Sequence, residues 1–164
     1  MASAVFQKFT YRNVACATRF NFKKTLLAGL PLFLGGLIYL LFRPGTLRIF
    51  MWLDFAGLRE PLELLRVHTL QLVPLMPEWF VYSLPNGLWA FSYAFIITAT
   101  WWKQSGRLKQ IWLLSLPAVG LGYELLQFSG AIPGTFCYQD LLFCTAGIAA
   151  GIAAAINLER RLQV

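Results

Sequence analysis

Residues 25–42 read TLLAGLPLFLGGLIYLLF, an unbroken apolar run without a charged side chain. A run of roughly 18 to 20 such residues, wound as a helix, is the length needed to cross a hydrocarbon core of about 30 Å. Pro31 and the Gly35-Gly36 pair sit inside the run, and a spanning helix tolerates them because neighbouring helices re-satisfy the backbone groups they free. Arg43-Pro44-Gly45 closes the block, and Lys23 and Lys24 precede it.

Three further blocks of the same length follow: 85–102 (PNGLWAFSYAFIITATWW), 111–128 (IWLLSLPAVGLGYELLQF) and 139–157 (QDLLFCTAGIAAGIAAAIN). The sequence therefore predicts an all-α fold, a polytopic membrane helical bundle of four transmembrane helices plus short interfacial helices. Composition agrees. Of the 164 residues 58% are hydrophobic and 13% charged, against about 25% charged in a soluble domain. The first block starts too late and lacks the small-residue site of a cleaved secretory leader, so it reads as a retained anchor.

Between the first two blocks, residues 43–84 are harder to place. Residues 47–58 are apolar but short and carry Arg48 and Asp54, and residues 60–73 mix leucines with Glu63, Arg66 and His68. They read as two short helices lying at the interface, split near Pro61, with Trp52, Trp79, Phe80 and Tyr82 as interfacial aromatics. Residues 1–24 form a basic segment with interleaved aromatics, suited to lying on an anionic leaflet.

Charge sets the expected orientation. The N-terminal segment, the turn at 103–110 and the tail at 158–164 hold the excess of Lys and Arg, whereas the basic residues of 43–84 are balanced by Asp54, Glu60, Glu63 and Glu78. The positive-inside rule then places both termini and the turn at 103–110 in the cytoplasm, and residues 43–84 and the turn at 129–138 outside. The same clustering of cations at the ends of apolar blocks argues against nucleic-acid binding, despite a net charge of +7.

This topology gathers polar residues at one depth. Glu124 and Gln127 lie near the outer end of the third span, Gln139 and Asp140 open the fourth, and Asn86 opens the second. An acid in a span costs on the order of 3 kcal/mol at mid-helix and less near the ends, so it faces protein or a water-filled cavity. Glu124 and Gln127, three apart, share a helix face, with Tyr123 beside it. Two readings of Glu124 stand together: structural glue to a neighbouring helix, or contact with a substrate, ion or proton. Asp140 suits the positive end of its helix whatever else it does. Asn86 after Pro85 is equally a good helix-start residue. Gly120 and Gly122 permit close approach of the third span, and Gly147 and Gly151 give the fourth a small-residue face for packing. His68 reads as an interfacial side chain. Cys16, Cys137 and Cys144 show no metal-ligand spacing, and neither a metal nor another cofactor is expected.

The run Tyr123-Glu124-Leu125-Leu126-Gln127, then Gly134-Thr135-Phe136, then Asp140 with Gly147 and Gly151, resembles the E-x-x-Q … D-x-x-x-N-x-x-G-x-x-x-G signature of VanZ-like membrane proteins. Residues 86–95 are similar to that family's first conserved helix. The resemblance covers about 85–156. Two features depart from the pattern: the turn before the aspartate lacks the family's basic residue, and Cys144 stands where the family has asparagine. The first conserved helix also reads Pro85-Asn86-Gly87-Leu88-Trp89 in place of an Asp-Lys and a His. If the family grips an anion through those cationic residues, this chain has altered that capacity. The resemblance implies a setting in the bacterial cell envelope, at the plasma (inner) membrane, and an association with glycopeptide resistance.

The leading expectation is an accessory membrane protein whose outward-facing pocket of Glu124, Gln127, Asp140, Asn86 and Tyr123 recognises a lipid headgroup or an envelope partner. An intramembrane enzyme acting on a lipid-linked substrate, with Glu124 as acid/base, is the second. A small subunit docked on a membrane-protein partner is the third.

Overall fold

The computed structural model describes residues 22–132 and 135–162. The basic segment up to residue 21, Pro133 and Gly134 of the expected outer turn, and the last two residues of the tail lie outside the described residues. All regular structure described is helical. The order is α1 (Phe22–Phe42), α2 (Arg48–Phe55), α3 (Arg59–Leu70), a short 3-10 turn at Val73–Leu75, α4 (Glu78–Tyr82), α5 (Leu84–Trp101), α6 (Arg107–Gly120), α7 (Gly122–Phe128) and α8 (Tyr138–Arg161).

Three helical segments are long and apolar enough to cross a membrane: α1, the near-continuous Glu78–Trp101 formed by α4 and α5, and α8. The fourth expected span is bent by 43° between α6 and α7 and counts as one crossing only if the pair is taken together. The cause of the bend is local. Pro117 removes one ladder hydrogen bond and crowds the carbonyl four residues back, and Gly120 and Gly122 flank Leu121, the residue at which the helix changes direction. Helix α6 also starts at Arg107, inside the turn expected at 103–110, and α8 continues to Arg161, beyond the expected end at 157.

The bundle wears its apolar residues on the outside. Phe33 in α1 is 62% exposed, and Leu114 and Leu142 are similarly bare, while Ser92 and Thr98 of α5 are buried. In water that distribution would cost burial energy at every exposed leucine. In a bilayer the chains of the lipid are as apolar as the side chains, so it costs nothing.

Helix α5 is the hub. It runs antiparallel to α1, where Trp89 Nε1 donates to the carbonyl of Leu32 at 3.3 Å, and a side chain on Gly35 would collide with that same indole. It runs antiparallel to α6, with Tyr93 Oη 2.6 Å from Ser115 Oγ. It runs parallel to α8, and there the backbones touch. A Cβ on Gly147 would lie 2.2 Å from the carbonyl oxygen of Gly87, and one on Gly151 2.4 Å from that of Phe91. Only glycine lets two helices come this close. Gly120 plays a smaller part, since its Cβ would meet Ile148 Cδ1 at 2.7 Å, and Gly122 faces open space.

The segment between α1 and α5 forms two short helices, α2 and α3, but the break falls at Ala56–Leu58 and not near Pro61. Gly57 turns the chain with φ at 67°, a left-handed conformation that costs glycine nothing. Pro61 lies in the first turn of α3, where its missing N–H would have had no helical partner. The pair is pinned by Arg66, which is 2% exposed. Its guanidinium donates to the carbonyl of Arg43 at 2.8 Å and to that of Leu40, and lies 4.5 Å from the Phe50 ring centroid. Thr69 Oγ1 donates to Leu41 O at 3.0 Å. These bonds satisfy carbonyls that end helix α1, and a cation suits that negative terminus. Arg43 repeats the device one step on, donating to Tyr82 O at 2.8 Å and lying over the Tyr39 and Tyr82 rings.

Candidate functional site

At the end of the bundle where α1 finishes and α5 and α8 begin, called here the far end, helix α7 presents Glu124 inward. Its side chain is 7% exposed, and Oε2 accepts the backbone N–H of Cys137 at 3.2 Å. Cys137 is the residue that starts α8, and no side chain of its own caps that helix. The carboxylate of another helix thus satisfies the N–H of the N-cap residue, the part that the Glu of a capping box plays, and its charge suits the positive end of α8.

Asp140 stands in the first turn of α8. It makes no hydrogen bond among the described residues, and its Oδ1 is buried. Buried polar atoms are nearly always paired, so this oxygen stands out. Cys144 lies one turn further along the same face, buried, and Glu124 reaches the start of the same helix through Cys137. Two carboxylates from different helices and one thiol therefore share the junction of α7 and α8. In the sequence Cys144 shows only as a cysteine without metal-ligand spacing and as a departure from the signature that the chain resembles. Its place beside the acids follows from the four-residue spacing to Asp140.

Gln127 is half-buried on the face it shares with Glu124, and Tyr123 is exposed on the outer side of α7. Asn86 is the third residue of α5, half-buried and two turns from Tyr93 on the helix face that meets α6. Its neighbour Gly87 would meet the Phe143 carbonyl at 2.9 Å if it carried a Cβ, which sets Asn86 within about a turn of the depth of Asp140. Neither Asn86 nor Gln127 makes a side-chain hydrogen bond among the described residues. Gly147 and Gly151 lie against α5, Gly120 against α8, and Gly122 against nothing.

Two open grooves lie away from this junction. One of about 500 Å³ is bordered by Asp54, Arg59 and Glu63 on the α2–α3 pair. The other, of about 340 Å³, opens sideways between α1, α5 and α8 and is lined by Pro31, Leu84, Phe91 and Phe143. Among the described residues no group of three His, Cys, Asp or Glu side chains is placed to hold a metal ion.

What these helices define is an integral, multi-pass helical membrane protein with polar side chains gathered at one end. No family model, curated protein or solved structure matches the chain.

Proposed function

We propose that the chain is a VanZ-like protein of the bacterial inner membrane, with both termini cytoplasmic, that recognises a lipid headgroup or envelope partner through the junction of Glu124, Asp140 and Cys144. The observation that carries this reading is the buried Oδ1 of Asp140, without a partner among the described residues, on the helix whose start the buried Glu124 holds. A purely structural acid would be expected to spend its oxygens on the protein, as Glu124 does on Cys137. Among the described residues the Asp140 carboxylate meets no hydrogen-bond donor, and a headgroup amine or hydroxyl would complete it through Oδ2, the oxygen that is not sealed off.

The test is complementation in a strain lacking the gene, scored by glycopeptide susceptibility and envelope stress. Asp140→Asn and Glu124→Gln should insert at wild-type level and lose complementation, and Gln127→Ala should weaken it. Normal insertion and full complementation by all three would remove the junction as the site.

A second reading, a small subunit of a membrane complex, has its own support in the α2–α3 pair. Phe55 of α2 is 97% exposed, and Leu64 of α3 is exposed as well. Co-purification of a stoichiometric partner in mild detergent, lost on Phe55→Ser, would favour it. A stable monomer carrying full complementing activity would count against it.

A further inference from the structure

At the opposite end of the bundle the charges are arranged differently. Phe91 of α5 packs between Gly147 and Gly151 of the parallel α8. Carrying that register forward places Lys103, just past the end of α5, level with Arg160 and Arg161 in the last turn of α8. The start of α6 folds back onto the same place. Trp112 stacks on Trp101 with ring centroids 6.5 Å apart, and Lys109 Nζ donates to Trp102 O at 3.5 Å. Lys103, Arg107, Lys109, Arg160 and Arg161 thereby stand at one level on three elements, and none is in an ion pair among the described residues. The acid of this end, Glu159, is 4% exposed and is bridged to Lys24 of α1. It is not available to them.

Helix stability explains only part of the cluster. Arg160 and Arg161 suit the negative end of α8, but Arg107 and Lys109 crowd the positive end of α6, where no acid is present in the first turn and no side chain caps the helix. Those two cations work against their own helix. Trp101, Trp102 and Trp112 at the same level mark the depth of a headgroup layer, where tryptophan concentrates.

We propose that this basic end binds the phosphodiester headgroup of an anionic membrane lipid, held between the α5–α6 turn and the last turn of α8. Charge complementarity selects the class: four exposed cations and the half-buried Lys109, with no free carboxylate at that depth among the described residues, fit a phosphodiester and give a zwitterionic lipid no advantage. The site is separate from the far-end junction and stands or falls without it.

The test uses the full-length protein in neutral detergent, titrated with phosphatidylglycerol or phosphatidylcholine while the unfolding temperature and the lipid retained in native mass spectra are recorded. Phosphatidylglycerol should stabilise and remain bound where phosphatidylcholine does not, and its effect should shrink with added salt. Lys103→Gln, Arg107→Gln and Lys109→Gln should each weaken it about fivefold, and the charge-keeping Arg107→Lys should retain it. If the glutamine variants fold poorly, the wild-type comparison of the two lipids and the salt series decides alone. Equal stabilisation by both lipids, an unchanged response in the glutamine variants, or displacement of the lipid by millimolar inorganic phosphate would overturn the proposal.

Discussion

Glu124 holds the start of α8 through a single hydrogen bond to the Cys137 N–H, and what that bond requires is an acceptor oxygen, not a charge. Glu124→Leu strands the Cys137 N–H and should cost about 1–3 kcal/mol, whereas Glu124→Gln keeps an oxygen in place and should cost clearly less. Unfolding in mixed detergent micelles measures both, and equal losses would mean that the charge is what holds α8. Arg66 offers a second test. Its donors close the carbonyls of Leu40 and Arg43 from within a fully buried position, and hydrogen bonds made by a charged donor are worth about 1.5–3 kcal/mol. Arg66→Met should therefore destabilise by at least that range, read as an earlier unfolding midpoint and faster proteolysis between α1 and α3. Composition marked Arg66 only as one charge of an interfacial stretch. Its role depends on Phe50 and the end of α1, which no local pattern of 60–73 discloses.

Among the helices, contact between α5 and α8 decides the packing, and glycines make it possible. Gly147→Val would put atoms inside the space of the Gly87 carbonyl and should force the helices apart at a cost of about 1–3 kcal/mol or more. Gly122→Ala meets nothing within 4 Å and should be neutral or slightly stabilising. Thermal unfolding of the two variants side by side reads the difference, and a tolerated Gly147→Val would refute the backbone contact. The small-residue face of α8 was legible because glycine spacing four apart is a local signal. Its partner Gly87 was not, since a lone glycine beside Asn86 carries no period. Likewise the lengths of α1 and α8 followed from uninterrupted apolar runs, but the 43° bend between α6 and α7 comes from Pro117 and the glycines on either side of Leu121, which an apolar run does not disclose. The split of α2 from α3 moved from Pro61 to Gly57 for a comparable reason: proline is harmless in a first turn, and the left-handed turn needs glycine.

On the scale of the whole molecule, the bundle has two unlike ends. One gathers carboxylates and a thiol around the start of α8, and the other gathers cations around its finish. The relative directions of α1, α5, α6 and α8 were readable from the alternation of apolar blocks and charged turns. Which polar residues turn inward did not follow, because that depends on rotation about each helix axis: Glu124 is buried and its neighbour Tyr123 is exposed. The central claim is that α6 and α7 cross the membrane as one bent span, so that the turn before α6 and the turn after α7 lie on opposite sides. Replacing Cys16, Cys137 and Cys144 with serine, introducing Ser105→Cys or Ser129→Cys, and labelling oriented vesicles with a membrane-impermeant maleimide tests this directly. Labelling of the two positions from opposite sides is the predicted result, and labelling of both from the same side would make α6–α7 a re-entrant loop and contradict the four-span bundle.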